Sequence, residues 1–102
     1  MTKIDTLKDE IRAFSDERNW EKFHTPKNLA MAVSGEAGEL VAEFQWLTTD
    51  ESQRSSLSPE KLSAIELEIA DVAIYLIRLA DVLDVDLAAV IRKKMGINSK
   101  RF

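Results

Sequence analysis

The sequence predicts an all-α fold, a bundle of about four helices. Three observations lead there. Apolar residues recur at spacings of three and four along most of the chain, the pattern of helices buried on one face. Thr25-Pro26 and Ser58-Pro59 each pair an N-capping side chain with a proline at the first helical position, where its missing N–H costs nothing. Only 3 Gly and 2 Pro interrupt the 102 residues. The one alternating stretch, "VLDVDL", is too brief to outweigh its helical flanks.

The first helix is expected from about Thr2 to Arg18, with Ile4, Leu7, Ile11 and Phe14 on one stripe. "NWEKFHTPKN" breaks that pattern and holds two large aromatics and the sole histidine, His24. The second helix runs from Pro26 to about Leu47, its apolar line being Leu29, Val33, Leu40, Phe44 and Leu47. "TTDESQRSSLS" reads as a polar connection. The third helix runs from Pro59 to about Leu83, with Ile65, Ile69, Val72, Leu76, Leu79 and Leu83 inward. A short turn follows, and Asp86 caps a last helix from about Leu87 to Met95.

The length suits a single domain, residues 1–102. Hydrophobic residues are 45% and charged residues 31%, ordinary for a globular protein. A net charge of −4 without a Lys/Arg stripe argues against nucleic acid as a partner. A free anionic nucleotide is still admissible, because a metal can supply positive charge. The absence of cysteine excludes disulfides and thiolate metal sites and agrees with a cytoplasmic location. No signal-peptide core is present, and no apolar run approaches the roughly 18 residues of a membrane span.

The second and third helices share a hidden register. When Val33 is laid on Ile65, Leu40 meets Val72, Phe44 meets Leu76 and Leu47 meets Leu79. Glu36 then meets Glu68, and Glu39 meets Asp71. Each acidic pair lies beside its own apolar stripe, so two antiparallel helices packed by those stripes would point both pairs into one space. Residues three apart on a helix are surface neighbours, so each pair can grip one cation. Oxygen-only ligands suit Mg²⁺, Mn²⁺ or Ca²⁺. The plainer alternative is a solvated acidic face. Gly35 and Gly38 flank the acids and have two readings as well: close helix packing, or a face left bare for phosphates.

"GEAGELVAEFQW" followed by "ELEIADVAIYL" resembles the all-α nucleoside triphosphate pyrophosphohydrolases, the MazG-like superfamily. The aromatic- and histidine-bearing segment before the second helix and the "KMGINSKRF" ending are similar to the dCTP pyrophosphatase branch. The resemblance implies cleavage of a (deoxy)nucleoside triphosphate to monophosphate and pyrophosphate with Mg²⁺, Mn²⁺ being a possible substitute. It implies Glu36, Glu39, Glu68 and Asp71 as metal ligands, with Glu39 orienting or deprotonating the attacking water. It implies Trp20, His24, Trp46, Tyr75, Lys94 and Asn98 as substrate-binding residues, with Arg101 a further candidate. Ile11 departs from the pattern. The matching edge in relatives is expected to carry a polar or histidine side chain that reaches the ligand, and isoleucine cannot hydrogen-bond.

The third helix carries apolar residues beyond its main stripe, including Ile74 and Ile77, which points to faces buried between chains. A homotetramer is expected, as a dimer of dimers, with a dimer as the alternative and the core completed by oligomerisation. The expected role is house-cleaning of dCTP-like or other deoxynucleotides. A ferritin-like di-iron bundle needs Glu-x-x-His pairs, and the sole histidine has no such partner. A non-catalytic helical nucleotide-binding or adaptor module would carry the same acids without turnover.

Overall fold

The computed structural model describes residues 3–102; the expected helix start at Thr2 lies outside the described residues. Four α-helices follow one another: α1 (Lys3–Glu17), α2 (Pro26–Phe44), α3 (Pro59–Val82) and α4 (Leu87–Ser99). No strand occurs among the described residues. All three expected caps form. The side chains of Thr25, Ser58 and Asp86 accept hydrogen bonds from the backbone N–H groups of Asn28, Lys61 and Ala89, at 3.2, 3.1 and 3.1 Å.

Two helix ends differ from expectation. α2 stops at Phe44 rather than Leu47 because Thr48 starts a turn of its own. The Thr48 N–H donates to Glu51 Oε1 (2.8 Å) and the Glu51 N–H donates to Thr48 Oγ1 (3.1 Å), a reciprocal capping box. A short 3₁₀ turn, Arg54–Ser56, lies further along the same connection. α4 continues past Met95 to Ser99, since Gly96 weakens a helix without breaking it.

α1 and α3 end in the same way. Asn19 and Asp84 both adopt φ 55°, the left-handed conformation that Asn and Asp tolerate better than most residues. The next N–H reaches back in each case: Trp20 to the Ser15 carbonyl (3.1 Å) and Val85 to the Ala80 carbonyl (2.8 Å). These Schellman-type turns reverse the chain sharply, and the first folds Trp20 back against α1.

α2 and α3 form the main packing unit, with α1 laid on α3. Lys61 at the start of α3 pairs with Glu43 near the end of α2 (2.9 Å), while Glu36 and Glu39 lie opposite Glu68. That order makes the two helices antiparallel. The expected α2 stripe is at least half-buried throughout, and Leu29 is 1% exposed.

The expected α3 stripe is split. Ile65 is buried and Val72 and Leu79 are half-buried, but Ile69, Leu76 and Leu83 are exposed. The reason is that α3 is apolar on more than one side. α2 and α1 cover two sides, and Ile69, Leu76 and Leu83, spaced by seven, mark a third side that the described residues leave exposed. Arg78 takes an inward position instead, at 6% exposed.

Candidate active site

The acidic residues face each other across the α2–α3 seam. Glu36, Glu39 and Glu68 each offer a carboxylate oxygen, and these oxygens lie within 4.8 Å of one another. Asp71 completes the group electrostatically. Its charge helps to raise the carboxyls of Glu36 and Glu68 above their ordinary range. Loss of water is the first cause for both, followed by the charge of Glu39. Among the described residues, Oε2 of Glu36 and Oε2 of Glu68 are out of contact with solvent and have no hydrogen-bond partner. Buried polar atoms without partners are uncommon and costly. Glu39 is the more exposed of the three.

The glycines beside these acids are not there for packing within the chain. A Cβ built on Gly35 or Gly38 would meet nothing within 4 Å. The helix surface is open at these two glycines.

Next to the acids lies a cavity of about 420 Å³ between α1, the α1–α2 connection and α3. Its size is that of a small-molecule site. Ile11 and Phe14 come from α1, Trp20 and His24 from the connection, and Asp71, Tyr75 and Arg78 from α3. Asp71 therefore borders both the cavity and the acidic cluster. The turn at Asn19 sets the aromatic wall. The Trp20 ring meets Phe14 edge-on at 5.7 Å and stands 6.0 Å from His24. The Arg18 guanidinium covers the Phe14 ring at 3.5 Å.

Of the sequence-derived candidates, the fold thus brings together Glu36, Glu39, Glu68 and Asp71, with Trp20, His24 and Tyr75 on the adjoining cavity. It does not bring Trp46, Lys94 or Asn98 to that cavity. Trp46 is 86% exposed beyond the end of α2, and Lys94 and Asn98 lie on α4, which packs lightly on the other helices.

Sequence reasoning missed one group. The group is built on Arg78, the basic residue nearest the acidic pairs on the third helix. It turns away from them. Its Nε donates to His24 Nδ1 (3.1 Å) and its Nη1 to Asp81 Oδ2 (3.1 Å). Asp81 also accepts from Arg12 Nε (2.8 Å) and pairs with Arg12 Nη2. The Asp81 carboxyl is held below its usual range, first by the hydrogen bond from Arg12. His24 is pushed below 6.5 by burial and then by the Arg78 charge, with Glu21 opposing. An arginine and an aspartate three apart inside an apolar helical run were the available signal, since buried charges are nearly always paired.

A family model described as the MazG-like family matches residues 31–102. Human dCTP pyrophosphatase 1 is 45% identical over 89 residues, covering 87% of this chain and 52% of that protein. The bovine protein of the same name is 42% identical over 89 residues, covering 87% of this chain and 53% of its own. The chain thus spans about half the length of the curated relatives it matches. A crystal structure of a pyrophosphatase from Archaeoglobus fulgidus superposes with a TM-score of 0.89 at 37% identity, covering 100% of this chain and 94% of that one.

Proposed function

Because this chain belongs to the MazG-like family, we propose that it is a divalent-metal-dependent nucleoside triphosphate pyrophosphohydrolase. It converts a (d)NTP and water into a (d)NMP and pyrophosphate, with dCTP-like deoxynucleotides as first choice. The single observation that carries the reading is the pair of buried, unpartnered Oε2 atoms on Glu36 and Glu68, set beside a nucleoside-sized cavity.

The donor set fits the ion. Three carboxylate oxygens that lie within 4.8 Å of one another are the hard, oxygen-only donor set that such a cation would take. Glu36, Glu39, Glu68 and Asp71 would hold it, with Mg²⁺ preferred and Mn²⁺ as substitute. When bound, it neutralises charge on the phosphates and lowers the pKa of a coordinated water. Glu39 is exposed enough for water to reach, and orients or deprotonates the attacking molecule for in-line displacement at the α-phosphorus. Trp20 supplies a flat face for the base. Tyr75 and His24 offer polar atoms to the nucleoside. The bare face at Gly35 and Gly38 leaves room for phosphates.

The chain works as a homo-oligomer, a tetramer or a dimer. The uncovered apolar face of α3 supports this reading, as does the exposure of Trp46, whose place in a site requires a neighbouring copy. Lys94 and Asn98 would join a site in the same way. Sedimentation velocity at micromolar concentration should therefore give a species larger than a monomer. Among the described residues, no helix is long and apolar enough to cross a membrane.

Incubation with dCTP and Mg²⁺ tests the activity. Release of dCMP and pyrophosphate in equal amounts is expected. Release of inorganic phosphate instead, or of nothing from a panel of triphosphates, would refute the reading and favour a binding module.

A further inference from the structure

We propose that Arg78, clamped by Asp81 and Arg12, is a positioning residue that fixes the proton of His24 on Nε2, so that the cavity presents a donor to an acceptor oxygen on the nucleoside. The inference rests on the reading of this cavity as the nucleoside pocket.

A guanidinium only donates and keeps its charge at any working pH. The ring nitrogen that faces Arg78 Nε at 3.1 Å must therefore be unprotonated. In a neutral imidazole the proton then sits on the other nitrogen, Nε2. A doubly protonated ring would set two donors head to head and put a second cation beside Arg78. Among the described residues Nε2 has no hydrogen-bond partner, and His24 forms part of the cavity wall.

The clamp keeps Arg78 from moving away. Arg78 is 6% exposed, and the side chain of Asp81 is 7% exposed. Asp81 accepts from Arg78 on one side and Arg12 on the other, so it can neither be lost to solvent nor rotate freely. Two arginines share one carboxylate, leaving a net positive charge behind the imidazole. The other charged groups near His24 are Glu21 on its own turn, and Glu10 from α1 and Asp71 from α3 on the cavity wall.

A donor-only Nε2 has a selective consequence. It favours a base carbonyl or a sugar hydroxyl oxygen and disfavours an amino group at the same place. Sites built around a buried hydrogen bond discriminate strongly against ligands that lack the partner.

His24 is the sole histidine, so nitrogen-15 NMR of the uniformly labelled protein reads it without further assignment. In the unaltered protein Nδ1 should appear unprotonated and Nε2 protonated, with a titration midpoint below 6.5. A protonated Nδ1 at neutral pH would overturn the proposal, and this arm does not depend on any variant folding. In Arg78→Met the ring should become a mixture of tautomers. KM for dCTP should rise roughly tenfold, with kcat changed less than twofold. The KM penalty should vanish for one of two analogues. A 3′-deoxy analogue would identify a sugar acceptor, and an analogue lacking the ring carbonyl a base acceptor. A penalty equal for dCTP and both analogues, or a fall in kcat with KM unchanged, would overturn it. If no triphosphate is turned over at all, the nucleoside-pocket reading fails, while the NMR arm still reports whether Arg78 sets the tautomer.

Discussion

Replacing Glu39 with glutamine is expected to lower kcat by roughly 10²–10⁴-fold, the range for loss of a general base. Glutamine keeps the size of the side chain and one acceptor oxygen, and removes the charge and the basicity. The fold should survive, because Glu39 is exposed and its helix is secured by the Thr25 cap and by α3. Nucleotide affinity should fall far less than turnover, since Glu36, Glu68 and Asp71 still offer carboxylates to the ion and the cavity is untouched. Pyrophosphate release in a single turnover, beside calorimetric titration of a non-hydrolysable nucleotide, separates the two effects. A variant that keeps more than a tenth of the parental kcat would remove Glu39 from this role.

Adding millimolar Mg²⁺ or Mn²⁺ is expected to raise the melting temperature, and EDTA to reverse it. The carboxyls of Glu36 and Glu68 are raised above 4.5, mainly by lost hydration and by their acidic neighbours. Without metal, the folded protein therefore holds protons there to higher pH than the unfolded chain does. Stability must fall as pH rises from near 4.5 through the raised values, and the penalty is complete above them. His24 has the opposite sign. Its lowered pKa costs stability as pH falls below 6.5, so the acidic cluster is read most cleanly above that pH. A cation saturating the site at a hundred times its dissociation constant contributes about 2.7 kcal/mol. In a domain of this size that is on the order of 10 °C. The gain should shrink in acid, where protons compete with metal for the same oxygens. Coincident melting curves in metal and in EDTA at neutral pH would contradict this.

Much of this site could be read from the chain because its signals are local. Thr25-Pro26, Ser58-Pro59 and Asp86 announce helix starts through side chains that bond their own neighbours. The shared register of Glu36 and Glu39 with Glu68 and Asp71 needs only helical periodicity and antiparallel packing. The clamp was not legible in the same way, since Arg12 and Asp81 meet across 69 residues of sequence. Nor was the exposure of Ile69, Leu76 and Leu83, because an apolar helix with several stripes does not say which of them its own chain will cover. The early end of α2 had a readable cause, Thr48-x-x-Glu51, in a stretch that otherwise reads as plain polar connection.

The proposed activity depends on one cluster of carboxylates taking a divalent cation and, with it, a triphosphate. A crystal grown with Mn²⁺ and an α,β-non-hydrolysable dCTP analogue tests this most directly. The expected result is an anomalous peak bounded by Glu36, Glu39, Glu68 and Asp71, with phosphate oxygens on the same ion and the base beside Trp20. An ordered nucleotide bound elsewhere, with no manganese between α2 and α3, would contradict it.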